Sequence, residues 1–319
     1  MNTKINLQDR ARGMLVGLAI GDALGAPVEF LNSDIIAGEM RKIQKMHDTL
    51  RFPKGVWTDD TSMALCLADS LLNCGGYDSY DVMDKYVGWY DNGDWSYFNS
   101  GYGAGLQTQL ALDSYKTNQE LTDDQKTDSA GNGVIMRLAP AIIATANKPN
   151  LRLASISARD THYSVTAEAV AEMFAATLYA ALSGEDKEHI FAALNADFTL
   201  PEYRKVYEQA KPLFDRANNP KSDLLKDLGG YCIDTLTIAL WGLKQFDRPF
   251  YGMLGVISLG GDTDTNAAVY GQLAGAYYGY NALPEDWRKN LYKESEIVRI
   301  ADKLLNMGQC PILRTRQLN

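Results

Sequence analysis

Oxygen donors gather at two places in this sequence, and each place heads a long apolar run. The first is Gly260-Gly261-Asp262-Thr263-Asp264-Thr265-Asn266, followed by Ala267, Ala268, Val269, Gly271, Leu273, Ala274, Gly275 and Ala276. That run is apolar on most sides and carries small residues about every fourth position, the pattern of a buried helix. The second is Trp57-Thr58-Asp59-Asp60-Thr61, which leads into an apolar stretch over 62–72. Asp and Thr are ordinary helix N-caps, and a single box reads equally well as a cap. A cap uses one side chain, however, and each box supplies three or four oxygens. Carboxylates at the mouth of a buried helix are costly unless something pairs them. Between Lys244 and Arg288 the only cation is Arg248, so a metal ion is the natural partner. Carboxylates and hydroxyls with no Cys or His at zinc spacing suit Mg²⁺, Mn²⁺ or Ca²⁺. Four carboxylates exceed what one Mg²⁺ usually takes, and two ions about 3.5–4 Å apart match the charge better.

Four other features carry weaker signals. Glu29 stands between Val28 and Phe30; from the residues alone an exposed loop carboxylate is the favoured reading. The alternative is a carboxyl with apolar neighbours and a raised pKa, suited to acid–base work. Gly101, Gly103 and Gly105, with Tyr97, Phe98 and Tyr102 around them, make either a plain surface loop or one whose backbone can approach a ligand. Gly131-Asn132-Gly133 precedes an apolar stretch over 134–143. It is a simple turn, or a helix N-terminus whose amides could take an anion such as phosphate. His162, in Asp160-Thr161-His162-Tyr163-Ser164, is one of three histidines; a capping or core role is commoner than a catalytic one.

These groups must be positioned by helices. Helical spacing runs over 11–22, with Asp9 or Asn6 as the cap, and ends where Gly25 suits a left-handed C-cap and Pro27 follows. Further helices are predicted over 79–90, 134–143, 165–182, 187–194, 202–216, 231–243 and 294–306, while no sustained alternation marks a strand. The polar, acidic segment 116–129 is expected to be a mobile surface stretch, and 194–226 is read as polar but helical. The 319 residues, 46% hydrophobic, are enough for a sizeable core, and no composition shift marks a boundary, so one all-α domain is expected. A net charge of −9 without a basic block argues against nucleic acid or an acidic membrane as the main partner. Cys66 and Cys232 lie in apolar runs and read as buried thiols of a reducing compartment. No run is read as reaching the roughly 18 apolar residues of a membrane span, and the expected location is cytoplasmic.

Taken in order, these pieces resemble the ADP-ribosylglycohydrolase family. The resemblance runs from Gly13-Met14-Leu15-Val16-Gly17-Leu18-Ala19-Ile20-Gly21-Asp22-Ala23-Leu24-Gly25 to Thr58-Asp59-Asp60-Thr61. It continues through Gly131-Asn132-Gly133 with Met136-Arg137 and Thr161-His162 to Gly261-Asp262-Thr263-Asp264-Thr265. It implies a single domain over 1–319 of orthogonally packed helices and a dinuclear Mg²⁺ or Mn²⁺ centre. Thr58, Asp59, Asp60 and Asp264 would hold one ion, and Asp262, Asp264 and Thr265 the other. The substrate would be an ADP-ribosylated protein or a small ADP-ribosyl conjugate, cleaved at C1″ of the distal ribose. Gly131, Asn132 and Gly133 would take the diphosphate. Gly101, Tyr102, Gly103, Ser129 and His162 would contact the substrate, with Glu29 and Asp60 in catalytic positions. Two residues depart from the family pattern: Val134 follows the glycine turn where a small residue is usual, and Asn99 stands where many bacterial members carry Asp. The 101–105 segment is more similar to the serine-linked branch. The alternatives are a non-catalytic ADP-ribose-binding or inhibitory relative and a two-metal phosphohydrolase.

Overall fold

The computed structural model describes residues 5–118, 121, 129–221 and 223–315. Its α-helices are α1 (Leu7–Gly25), α2 (Ser33–Ile43), α3 (Asp59–Cys74), α4 (Ser79–Asn92), α5 (Leu106–Asn118), α6 (Gly133–Met136), α7 (Ala139–Ala144) and α8 (Leu151–Arg159). They continue as α9 (Val165–Ser183), α10 (Lys187–Ala192), α11 (Pro201–Phe214), α12 (Cys232–Gln245), α13 (Pro249–Ile257), α14 (Thr263–Tyr278), α15 (Glu285–Asn290) and α16 (Glu294–Leu305). One continuous hydrophobic core runs through the described residues, with α1, α9 and α14 deepest in it. Among the described residues the sheet content is one short parallel pair, Tyr77–Asp78 against Ile312–Arg314, too short to leave an alternating signature in the sequence.

The central contact is backbone on backbone. Gly13, Gly17, Gly21 and Gly25 recur every fourth residue along α1 and face Gly275, Gly271, Ala267 and Asp264 of the antiparallel α14. A Cβ placed on Gly17 would stand 2.2 Å from the Gly271 carbonyl oxygen, and one on Gly271 would stand 2.0 Å from the Gly17 oxygen. At the end of the stripe a Cβ on Gly25 would lie 2.4 Å from the Asp264 Cα. Gly25 therefore serves this close approach and not the expected left-handed cap; its φ is −80°, and the chain passes on into a short 3-10 turn, Ala26–Val28.

Several other expectations change. The apolar stretch 134–143 is broken into α6 and α7 at Arg137 and Leu138, because Pro140 fits only the first turn of a new helix. Gln272 of α14 bridges that break: Nε2 donates to the carbonyls of Ile135 and Met136, and Oε1 accepts from the Ala139 amide. Leu7–Val28 and Val165–Ser183 are both long and apolar enough to cross a membrane, contrary to the sequence reading. Their apolar windows are 89% and 83% buried inside the protein, and an all-round apolar surface is what a central core helix needs. All four cysteines are free, with Cys66 and Cys232 buried. Of the acidic segment 116–129, residues 119–120 and 122–128 lie outside the described residues.

The stripe makes a direct prediction. Gly17→Ala gains about 1 kcal/mol of helix propensity, but its Cβ meets a backbone that cannot give way. Overpacking of that kind costs about 1–3 kcal/mol or more, so a lower thermal midpoint is expected. Gly38→Ala is the control: it lies in α2 with nothing within 4 Å of the added carbon, and it should leave stability unchanged or slightly raised. Equal midpoints for Gly17→Ala and wild type would contradict the contact.

Candidate active site

The first acidic box is organised by a residue from another helix. Thr58 stands at the N-cap of α3, yet its side chain makes no capping bond within that helix. Asp22 of α1 does the capping instead. Its Oδ1 accepts from the Thr58 amide at 2.9 Å and the Thr58 hydroxyl at 2.8 Å, and its Oδ2 accepts from the Thr61 amide at 3.0 Å and hydroxyl at 2.7 Å. With the helix end satisfied in this way, Asp59 and Asp60 are released from that task. Asp60 is fully buried, and neither carboxylate oxygen has a hydrogen-bond partner.

The second box is reached through Gly260 and Gly261, both in the left-handed region at φ 77° and 73°. The turn they make is knitted to the end of α1. The Phe30 amide donates to the Gly261 carbonyl at 2.8 Å, and the Gly261 amide donates to the Leu31 carbonyl at 3.2 Å. Phe30 itself sits at φ 60°, a strained position for a residue with a side chain. This pairing sets Glu29 beside Asp262. Asp262 is held by Asn132, whose Nδ2 donates to Asp262 Oδ2 at 2.9 Å and reaches Thr235 Oγ1 at 3.0 Å. Thr263 is structural, donating to the Gly25 carbonyl. The Thr265 amide donates to Asp264 Oδ1 at 2.9 Å.

The two boxes converge. Carboxylate oxygens of Asp22, Asp60 and Asp264 lie within 4.8 Å of one another, and so do those of Glu29, Asp262 and Asp264. Asp264 belongs to both groups. Among the described residues none of these carboxylates makes an ion pair. Burial, reinforced by the neighbouring carboxylates, pushes Asp60 and Asp264 well above the ordinary carboxylate range. Burial raises Asp59 to about 8, helped by Asp22, Glu29 and Asp262. Glu29 is raised to about 7 by burial and then by Asp262, against an opposing pull from Arg51. An unpartnered buried carboxylate inside a set of hard oxygen donors fits a divalent cation of the Mg²⁺, Mn²⁺ or Ca²⁺ type.

Two flanks close around the cluster. On one side Gly103, at φ 94°, presses its backbone on Asp59; a Cβ there would stand 2.3 Å from Asp59 Oδ1. Tyr102 stacks on Phe98 at 4.4 Å between ring centres, and the Arg51 guanidinium lies 5.1 Å from the Tyr102 ring. Gly101 packs on Tyr90. On the other side the His162 ring lies against the glycine turn. A Cβ on Gly131 would stand 2.9 Å from His162 Nε2, and one on Gly133 would stand 3.1 Å from Cε1. These glycines therefore make room for an imidazole. α6 is a single turn, and the Asn132 amide donates to the Gly230 carbonyl. Burial, then Arg137, lowers His162 to about 3, so its ring is neutral at physiological pH.

Ser129 and Asn99 are exposed, and Val134 is fully buried in the core. Three residues escaped the sequence reading of the site. Asp22 looked like one more position of a core helix, and Thr235 like an ordinary helical hydroxyl. Arg51 carried no pattern, because its neighbours Tyr102 and Glu29 are distant in sequence. A polar residue at a core-facing position of α1 was the one available signal for Asp22.

The raised carboxyls predict a pH dependence for the metal-free protein. Protonated Glu29 and Asp59 stabilise the fold fully below the ordinary carboxylate range, and this is lost as pH rises through about 7 and about 8. In chelator, the protein should unfold at a lower temperature at about pH 8 than at about pH 5. Mg²⁺ or Mn²⁺ should restore the midpoint at the higher pH, and Asp60→Asn should flatten the slope and remove the cation response. A midpoint flat in chelator and indifferent to both cations would overturn the reading of the cluster as a cation site.

The comparison with known proteins follows the same geometry. Residues 3–312 match the ADP-ribosylglycohydrolase family. An ADP-ribosylarginine hydrolase of Serratia proteamaculans is 32% identical over 312 residues, spanning 94% of this chain and 80% of that protein. The ADP-ribosyl-dinitrogen reductase glycohydrolase of Rhodospirillum rubrum is 29% identical, spanning 95% of this chain and 98% of its own length. A solved ADP-ribosylglycohydrolase-related protein complex shares the fold with a TM-score of 0.77 at 38% identity, covering 95% of this chain and 99% of the other. Matched over nearly its whole length in both sequence and fold, the chain belongs to the ADP-ribosylglycohydrolase family.

Proposed function

We propose that this protein is a divalent-cation-dependent hydrolase that removes ADP-ribose from a modified protein side chain or a small ADP-ribosyl conjugate. The observation that carries the reading is the pair of carboxylate triads sharing Asp264, with both oxygens of Asp60 buried and unpartnered. Two ions, Mg²⁺ or Mn²⁺, match this charge. Thr58, Asp59, Asp60 and Asp264 would hold one, and Asp262, Asp264 and Thr265 the other. Bound there, the cations would polarise a water molecule and fix the two hydroxyls of the distal ribose.

The chain's own groups do the rest. Asp22 holds the Thr58–Thr61 end of α3 in place, and Asn132 holds Asp262. His162 packs on the 131–133 turn and the Gly103 backbone packs on Asp59, so the ADP-ribosyl moiety would be bracketed between these two flanks. Cleavage breaks the bond from C1″ to the acceptor atom and passes through an oxocarbenium-like transition state. The water oxygen bonds to C1″, and the acceptor leaves carrying a proton. Glu29, half-buried with a proton affinity near neutrality, is placed to take a proton from water or to return it to the leaving group. Asn99 is exposed and has no titratable group, so it takes no part as a base.

The test is incubation with Mg²⁺ or Mn²⁺ and mono-ADP-ribosylated arginine and serine peptides side by side, with free ADP-ribose read by mass. Release from at least one peptide is expected. Asp60→Asn and Asp264→Asn should each lower turnover by on the order of 100-fold or more. Release of phosphate or a nucleotide would point instead to a phosphohydrolase. No release with either cation, ADP-ribose still binding, would point to a non-catalytic member of the family.

A further inference from the structure

The ring beside the glycine turn is held by a chain of hydrogen bonds that ends on a buried cation. Arg137 is fully buried and makes no ion pair among the described residues. Its Nη2 donates to Thr161 Oγ1 at 2.5 Å and to the Ser157 carbonyl at 3.4 Å, and its guanidinium stands 5.0 Å from the Tyr86 ring centre. Its Nε has no acceptor. An uncompensated guanidinium is a poor way to fill a core, so packing alone does not explain it.

The bond directions follow from chemistry. A guanidinium only donates, so Thr161 Oγ1 is the acceptor there. Thr161 has one hydroxyl proton left and is itself buried. The partner for that proton is His162 Nδ1, 2.9 Å away. The reverse arrangement, with Nδ1 protonated and donating, would leave the Thr161 proton buried without an acceptor. A hydroxyl polarised by Arg137 is also a better donor than an isolated one. Once Nδ1 is the acceptor, the ring proton must sit on Nε2. That nitrogen has no acceptor among the described residues, and it is the atom against Gly131.

We propose that Arg137 and Thr161 are positioning residues that fix His162 as the tautomer protonated at Nε2, so that the ring offers an N–H donor beside the 131–133 turn to an anionic oxygen of the substrate. This deepens the ADP-ribosyl hydrolase reading and rests on it for the identity of the anion, which would be a diphosphate oxygen. The tautomer itself is independent of that reading.

The experiment is two-bond proton–nitrogen correlation on histidine-labelled protein without substrate. The chain has three histidines, and a His162→Gln sample identifies the signal. Wild type should show Nδ1 as the unprotonated nitrogen and Nε2 as the protonated one. Thr161→Val should shift the ring towards the other tautomer, weaken ADP-ribose binding about tenfold by calorimetry, and raise KM more than it lowers kcat. Thr161→Ser should restore the spectrum and the affinity. Protonation of Nδ1 in wild type would overturn the proposal. So would a Thr161→Val protein with unchanged spectrum, whether its affinity held or fell. A wild type that releases no ADP-ribose while showing the Nε2–H pattern would overturn the hydrolase reading and leave the relay standing.

Discussion

The approach of α1 to α14 sets the rest of the molecule. Two helices normally keep their side chains between them, but here glycine carbonyls touch glycine α-carbons across the pair. That contact fixes which residues meet at the ends. Asp22 lies three residues before the last glycine of the α1 stripe, and Asp264 is what that last glycine touches. The site is therefore tied to a close backbone-on-backbone contact in the core. Larger residues along the stripe would separate the helices and move the two carboxylates apart.

The same arrangement creates an electrostatic problem that the protein's own cations do not solve. Six carboxyls are crowded at one end of a packed core. The nearest cations act from outside the cluster: Arg51 lies over Tyr102 at the rim, and Arg137 is inside the core but bonded towards His162. Without a cation the cluster is relieved by protons, which is why Glu29 and Asp59 titrate so high. A cation would remove the same repulsion while leaving the oxygens ionised. Folding and loading are thus coupled through one set of charges. The two triads share Asp264, so the charge on that residue bears on both halves.

Much of this was legible in the sequence because local rules and global fold agree. Asn6 caps α1 by accepting from the Asp9 amide, and Ser164 caps α9; both are ordinary capping types just ahead of a helical pattern. The acidic boxes stood out because they carry more oxygen donors than a cap needs. What was not legible depends on contacts between distant segments. Asp22 caps a helix whose N-cap residue, Thr58, lies 36 residues later, and no local pattern can show a cap borrowed from another helix. That Gly131 and Gly133 make room for the His162 ring, about 30 positions on, was equally hidden from any local pattern. Leu7–Val28 and Val165–Ser183 pass for membrane spans by composition, since a helix surrounded by protein and one surrounded by lipid face the same solvent problem.

Hydrogen-bond valence sorts the acidic residues by task. A carboxylate has about four acceptor positions. Asp22 fills four, with two amides and two hydroxyls, and so has little capacity left for anything else. Asp262 accepts from Asn132 on Oδ2, and Asp264 from the Thr265 amide on Oδ1, leaving oxygen free on each. Asp60 accepts nothing, although it is the most deeply buried of the α3 pair. A residue buried without partners is destabilising unless something completes it. From Asp22 through Asp262 and Asp264 to Asp60, the acceptor positions go from filled to free. On this count Asp22 is the carboxylate most committed to holding the α3 end, although its oxygens also lie within 4.8 Å of those of Asp60 and Asp264.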